Sequence, residues 1–177
     1  GVLEGTDGDI TWKLTALNPE DWDLNKNGVP YKLTLSGTGN GVMKDYKRVS
    51  FQDGSTTNYY TSAPWQTYTP YICSLEIGNG ITNIGKYAFF NCVSLKAVTI
   101  PSSVASIGDY AFSNCFMLES VTGGGSLETI GVSSFNNTRE LRTVQLSGSR
   151  LKSIGSDAFE SAFNSSTMST NQITLPS

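Results

Sequence analysis

The sequence predicts a mostly β chain: a solenoid of about four coils of 23 residues with short helical turns on one side, preceded by a β-hairpin. An Ile-Gly-x-x-x-Phe segment recurs from Ile84, Ile107, Ile130 and Ile154, at offsets of 23, 23 and 24 residues. Between these copies lie short runs alternating apolar and polar residues, the pattern of a half-buried strand. The composition agrees. Only 15% of residues are charged, and Gly, Ser, Thr and Asn abound, which suits strands and turns better than long surface helices.

The first seventy residues lack the 23-residue period. Asp9 to Thr15 alternates (Asp-Ile-Thr-Trp-Lys-Leu-Thr) and reads as a strand, as does Tyr31 to Gly39. Asn27-Gly28 between them is a strong type I′ turn signal, so the pair is read as a β-hairpin. Tyr59, Tyr60, Trp65, Tyr68 and Tyr71 then crowd the entry to the repeats. A packed aromatic seam is preferred there over a ligand site.

The repeats open on a half-unit, Ile72-x-x-Leu75-x-Ile77, followed by Ile81 and Ile84. Full units follow as Leu95-x-x-Val98-x-Ile100, Leu118-x-x-Val121 and Leu141-x-x-Val144-x-Leu146. Val98 and Ile100 are expected to face the interior, Ala97 and Thr99 the outside. Ala88, Phe89, Cys92 and Leu95 have the spacing of a short helical turn with one buried face. The glycine after each leading Ile fits a corner of positive φ. Asn91, Asn114 and Asn137 recur at the same period and are expected to stack, their amides serving loop backbone groups. One coil cannot bury its apolar face alone, but stacked coils can. The period falls in the leucine-rich-repeat range.

The run from Ala88 to Gly108, Ala-Phe-x-x-Cys-x-x-Leu-x-x-Val-x-Ile-Pro-x-Ser-Val-x-x-Ile-Gly, resembles the BspA-like leucine-rich repeat, a family of bacterial surface and secreted proteins. The likeness covers about Ile72 to Phe163. It weakens at Gly123-Gly124-Gly125, Ser134 and Thr138. Gly-x-x-x-Trp-x-Leu, Leu-Thr-x-Ser-Gly-Thr-Gly and Ala63-Pro64-Trp65 resemble the segment that precedes such repeats. The resemblance implies that residues 1–70 form an N-terminal β cap and residues 71–177 a leucine-rich-repeat solenoid whose last coil is incomplete. A cap would cover the open hydrogen-bonding edge and the apolar side chains at the end of a strand array.

The same sequence narrows the chemistry. There is no histidine, which removes Ser-His-Asp and Cys-His machinery and His-ligated metals. The net charge of −3 comes without a basic patch, so nucleic acid is not expected. No apolar stretch approaches the roughly 20 residues of a membrane span. Asp23-x-Asn25-x-Asn27-Gly28 begins like a calcium loop, but its twelfth position is Thr34 where a bidentate Glu belongs. A polar hairpin loop is the preferred reading. Glu20, Asp21 and Asp23 are the acidic candidates for glycosidase chemistry. They crowd one loop and are not set across a cleft. Cys92 and Cys115 are read as buried free thiols, and Cys73 as a reachable one without a catalytic role. No metal or cofactor is expected. The sequons Asn136-Asn137-Thr138 and Asn164-Ser165-Ser166 carry little weight in a chain of bacterial resemblance.

What remains is a surface. Ser74 and Glu76, Ala97 and Thr99, Ser120 and Thr122, Thr143 and Gln145, and Gln172 and Thr174 are expected to form one outward sheet face. Glu76, Thr99, Ser120, Thr122, Thr143 and Gln145 are its candidate ligand-binding residues. Lys96, Glu119 and Arg142 alternate in sign along it and are read as aids to in-register stacking. The resemblance implies a non-enzymatic extracellular adhesion module, whose partner is a host or bacterial surface protein or a glycan. An architectural spacer without its own ligand is the alternative. The first residues Gly1-Val2-Leu3 lack Met, read as a processed or engineered start from which a signal peptide is removed. The final strand signal, Ile173 to Ser177, carries no polar cap, so the expectation is a monomer, an end-on dimer or one piece of a longer array.

Overall fold

The computed structural model describes residues 3–18 and 29–163, and the backbone of the strand at 172–174. The predicted Asn27-Gly28 turn, the calcium-like loop, Glu20, Asp21, Asp23 and the second sequon lie outside the described residues.

Strands β1 (Glu4–Asp7), β2 (Ile10–Ala16) and β3 (Tyr31–Gly37) form an antiparallel meander. Alternation puts Ile10, Trp12 and Leu14 of β2 against Leu33 and Leu35 of β3 on the buried side. A second hairpin, β4 (Arg48–Asp53) and β5 (Thr56–Thr61), follows. A 3₁₀ helix, Gln66–Tyr71, leads into β6 (Ile72–Ile77). β6 pairs parallel with β3, closing a sheet of order β1-β2-β3-β6.

From there the chain coils. One ladder is built from β8 (Ala97–Ile100), β10 (Ser120–Gly123), β12 (Thr143–Leu146) and β14 (Gln172–Thr174), all parallel and in register. The second consists of two-residue strands, β7 (Asn83–Ile84), β9 (Ser106–Ile107), β11 (Thr129–Ile130) and β13 (Ser153–Ile154). The in-and-out alternation read from the sequence holds: Val98 and Ile100 are buried, Ala97 and Thr99 exposed.

The third side of each coil departs from expectation. It is a chain of tight turns, not a helical turn. Ala88, Phe90 and Cys92 donate their N–H groups three residues back, to Gly85, Tyr87 and Phe89. Tyr87, Phe89 and Asn91 instead donate to Asp109, Ala111 and Ser113 of the next coil. Alternate residues thus serve their own coil and its neighbour, which a helix cannot do because its N–H groups point along its own axis. The spacing of Ala88, Phe89, Cys92 and Leu95 buries the same four side chains either way.

The glycines after the leading isoleucines have a different cause from the one expected. Gly85, Gly108, Gly131 and Gly155 are not in the positive-φ region. The backbone of the adjacent coil lies against them: a Cβ on Gly108 would sit 2.6 Å from the Lys86 nitrogen, and one on Gly131 2.6 Å from that of Asp109. Positive φ falls two residues later, at Tyr87, Tyr110, Ser133 and Asp157, and again at Asn91, Asn114 and Asn137. Asn tolerates this conformation better than other non-glycine residues.

The core is laminated by aromatic rings. Trp65, Phe89, Phe112, Phe135, Phe159 and Phe163 stack in sequence with centroids 5.8, 5.2, 5.2, 5.3 and 5.9 Å apart. Trp65 begins the column. It is fully buried, donates its indole N–H to the Ala88 carbonyl at 2.8 Å, and meets Trp12 and Tyr46 edge-on. The aromatic seam expected at this junction is real for Trp65 and Tyr68, the latter packed edge-on against Tyr31. Tyr59 is exposed, with the Arg48 guanidinium 4.5 Å above its ring.

Candidate functional site

The outward side chains of the main ladder are set by register. Ala97, Ser120 and Thr143 form one row, and Thr99, Thr122 and Gln145 the next. Parallel strands lie about 4.8 Å apart, so Ser120 and Thr143 in one row, and Thr99, Thr122 and Gln145 in the other, set neutral polar groups at that spacing. The hydroxyls of Thr99 and Thr122 are 3.2 Å apart and hydrogen-bond across the strands. Thr99 and Gln145 are exposed, while Ser120, Thr122 and Thr143 are half-buried between neighbours. Lys96, Glu119 and Arg142 line the entry to these strands, joined by Glu119 N–H to Lys96 carbonyl and Arg142 N–H to Glu119 carbonyl bonds. The face can offer neutral donors and acceptors over an extended surface, without a deep cavity.

Glu76 does not join that face as one sheet. Its strand β6 is bonded to β3, and its carboxylate pairs with Lys32 at 2.8 Å. Between β6 and β8 runs a shallow cleft of about 390 Å³, lined by Lys32, Ser74, Leu75, Glu76, Ile77, Thr99 and Pro101. The expected single face is therefore two sheets meeting along a cleft, with Glu76 on one bank and Thr99 on the other. The β3–β6 register shifts between Tyr31 and Lys32, whose partners are Ile72 and Ser74. Cys73 is the extra residue of that bulge. This overturns the expectation of a reachable thiol: Cys73 is 1% exposed and its Sγ contacts the Tyr71 carbonyl at 3.4 Å.

Cys92 and Cys115 are free and fully buried, as read from the sequence. Burial pushes both thiols up, so neither supplies a thiolate near neutral pH. In the next coil Thr138 takes the same place and satisfies its hydroxyl on the Phe135 carbonyl at 2.7 Å. The asparagine ladder is partly realised. Asn137 donates to the Asn114 side-chain oxygen at 2.8 Å, while Asn91 donates to the Tyr59 carbonyl at 2.6 Å. Asp7 holds the first hairpin to the loop before β4, accepting from Lys44 at 2.8 Å and from the Tyr46 hydroxyl at 2.7 Å. Burial raises the Asp7 carboxyl, but these donors outweigh it and leave it below its ordinary value. Among the described residues no group of three or more His, Cys, Asp or Glu could hold a metal, and no helix is long and apolar enough to cross a membrane.

The β4–β5 hairpin was not read from the sequence, although Gly54-Ser55 between its strands, with Gly first and at positive φ, is a two-residue hairpin signal. The phenylalanine column was legible as Phe at offsets of 23, 23 and 24, from Phe89 to Phe159.

The model of the BspA type leucine rich repeat region matches residues 67–176 in six copies. The chain belongs to this BspA-type leucine-rich-repeat family. A leucine-rich repeat protein of T. pallidum shares the fold, with a TM-score of 0.51 and 21% identity over 84% of this chain. The BspA-type chain spans only 64% of that structure. A leucine-rich repeat protein of Eubacterium ventriosum aligns at TM-score 0.40 and 22% identity, over 70% of this chain and 38% of its own. A leucine-rich cell surface protein of Faecalibacterium prausnitzii aligns at TM-score 0.38 and 22% identity, over 91% of this chain and 52% of its own. No curated protein matches the sequence.

Proposed function

We propose that this BspA-type chain is a non-enzymatic extracellular binding or adhesion module that recognises a protein or glycan through the solenoid sheet face. The observation that supports this most is the in-register pair of rows ending in Thr99, Thr122 and Gln145 and in Ser120 and Thr143. Extended faces of this kind are where repeat proteins commonly bind. The neutral rows suit a broad partner such as a surface protein or glycan and give no handle to nucleic acid. Glu76 would act at the rim, across the cleft from Thr99. Residues 1–70 would serve as the β cap of the repeat domain at 71–177, since β3 occupies an edge of β6 and Trp65 begins the ring column. Cell-surface or extracellular location is part of the same proposal and rests on family membership.

The test is an array of glycans and matrix proteins probed with this chain, followed by Thr99→Arg, Thr122→Arg and Gln145→Arg on any hit. Bulky charge in the rows should lower affinity at least about tenfold. Unchanged binding would move the site off this face. The spacer reading draws on the Thr99–Thr122 hydrogen bond, in which two face hydroxyls satisfy each other. A chain that binds nothing on such arrays supports it.

A further inference from the structure

The β4–β5 hairpin leaves one edge open. β5 faces the coils, its Tyr59 carbonyl taken by the Asn91 amide. Among the described residues, the backbone of Arg48–Asp53 bonds only to β5. An unpaired edge six residues long is a template for another strand, and proteins usually block it with central charges or proline. β4 has neither inside: its middle reads Val49-Ser50-Phe51-Gln52, with Phe51 62% exposed. Val49 and Phe51 share the side of the hairpin that borders a groove of about 640 Å³, whose floor includes Tyr60, Pro70 and Tyr71.

We propose that β4 pairs antiparallel with the β4 of a second copy of this chain, about a two-fold axis at Ser50, making one four-stranded sheet from the two hairpins. The edge is self-complementary. Alternate residues turn their N–H and C=O outward, so an edge meets its own copy only with residues of equal parity facing each other. Centred on Ser50, that places Val49 opposite the second copy's Phe51, and Phe51 opposite its Val49. Lys47, which extends the hairpin by its bonds to Ser62, falls opposite the second copy's Asp53. Both are exposed, so each end of the paired strands carries an opposite-charge pair on the same side as the apolar centre. A strand of another protein would have to match this charge and apolar order. The chain's own second copy matches it by symmetry.

The experiment is analytical ultracentrifugation of the full chain over a concentration series, with a cross-linking arm. The wild type should show a monomer–dimer equilibrium. Phe51→Lys should abolish it, Asp53→Lys should weaken it about tenfold at low salt, and the double change Lys47→Asp with Asp53→Lys should restore it. Ser50→Cys should give a reducible covalent dimer on oxidation, because facing Cα atoms about 4.5–5.5 Å apart lie within disulfide reach. Cys73, Cys92 and Cys115 are buried, so the wild type should give none. These residues lie on an exposed hairpin, and unchanged circular dichroism melts would show that the variants fold. A wild type that remains monomeric at hundreds of micromolar overturns the proposal. So does a dimer indifferent to Phe51→Lys, as one formed through the solenoid ends would be, or a charge swap that fails to rescue.

Discussion

Ser134 provides a direct measure of what an unpaired polar group does inside the coils. Its side chain is fully buried where the other coils place Ala88, Ala111 and Ala158, and among the described residues its hydroxyl has no hydrogen-bond partner. Folding strips water from that oxygen and returns nothing, which costs about 1–3 kcal/mol. Ser134→Ala removes the oxygen and keeps a Cβ that three other coils accommodate. The lost dispersion contacts of one atom subtract a few tenths of a kcal/mol. The variant should therefore be about 1 kcal/mol more stable, or about 2–4 °C higher in Tm for a domain this long. Urea unfolding followed by circular dichroism should show a higher midpoint with the slope unchanged. Thr138 is the internal control: equally buried in the same coil, but with its hydroxyl donated to Phe135 at 2.7 Å. Thr138→Val keeps the shape and orphans that carbonyl, so it should lose about 1 kcal/mol. Deleting a buried hydroxyl thus has opposite signs at two positions four residues apart. A destabilised or unchanged Ser134→Ala would refute the reasoning.

Other substitutions test the remaining features of the fold. Phe112→Ala breaks the ring column at its centre and should cost about 3–5 kcal/mol in urea unfolding; a loss under about 1 kcal/mol would mean that the column is not a major support. Gly131→Ala puts a Cβ 2.6 Å from the Asp109 backbone nitrogen and should cost more than about 1–3 kcal/mol, because backbone cannot move aside as a flexible side chain can. Gly54→Ala meets no atom within 4 Å and should cost only the positive-φ penalty of about 1–2 kcal/mol, so an equal loss at both sites would undo the close-approach argument. Asp7 has a folded pKa below its unfolded one, so its contribution is complete above the unfolded value of about 3.9 and disappears as pH falls through the lowered folded value. Asp7→Asn should be less stable than wild type at pH 7 and converge on it under acid, and parallel stability curves from pH 7 to pH 2 would contradict this.

The sequence by itself determined the repeat and the inside of the coils. A solenoid stacks equivalent positions, so Ile84, Ile107 and Ile130, or Phe89, Phe112 and Phe135, must recur at one offset to meet, and that periodicity is visible without coordinates. The strand register followed from it. Ser120 lies beside Ala97 and Thr143 because each stands at the same place in its unit. Tertiary structure decided what depends on neighbours rather than spacing. The Ala88–Leu95 segment has apolar spacing that serves a helix or a chain of turns equally. The choice went to turns because the next coil offers carbonyls to Tyr87, Phe89 and Asn91. Gly108 and Gly131 have no local reason to be glycine; the reason is the backbone one coil away. Cys73 became buried and Glu76 joined the sheet of β3 because β6 bonded to β3, a partner about forty residues upstream whose register shift no 23-residue period encodes.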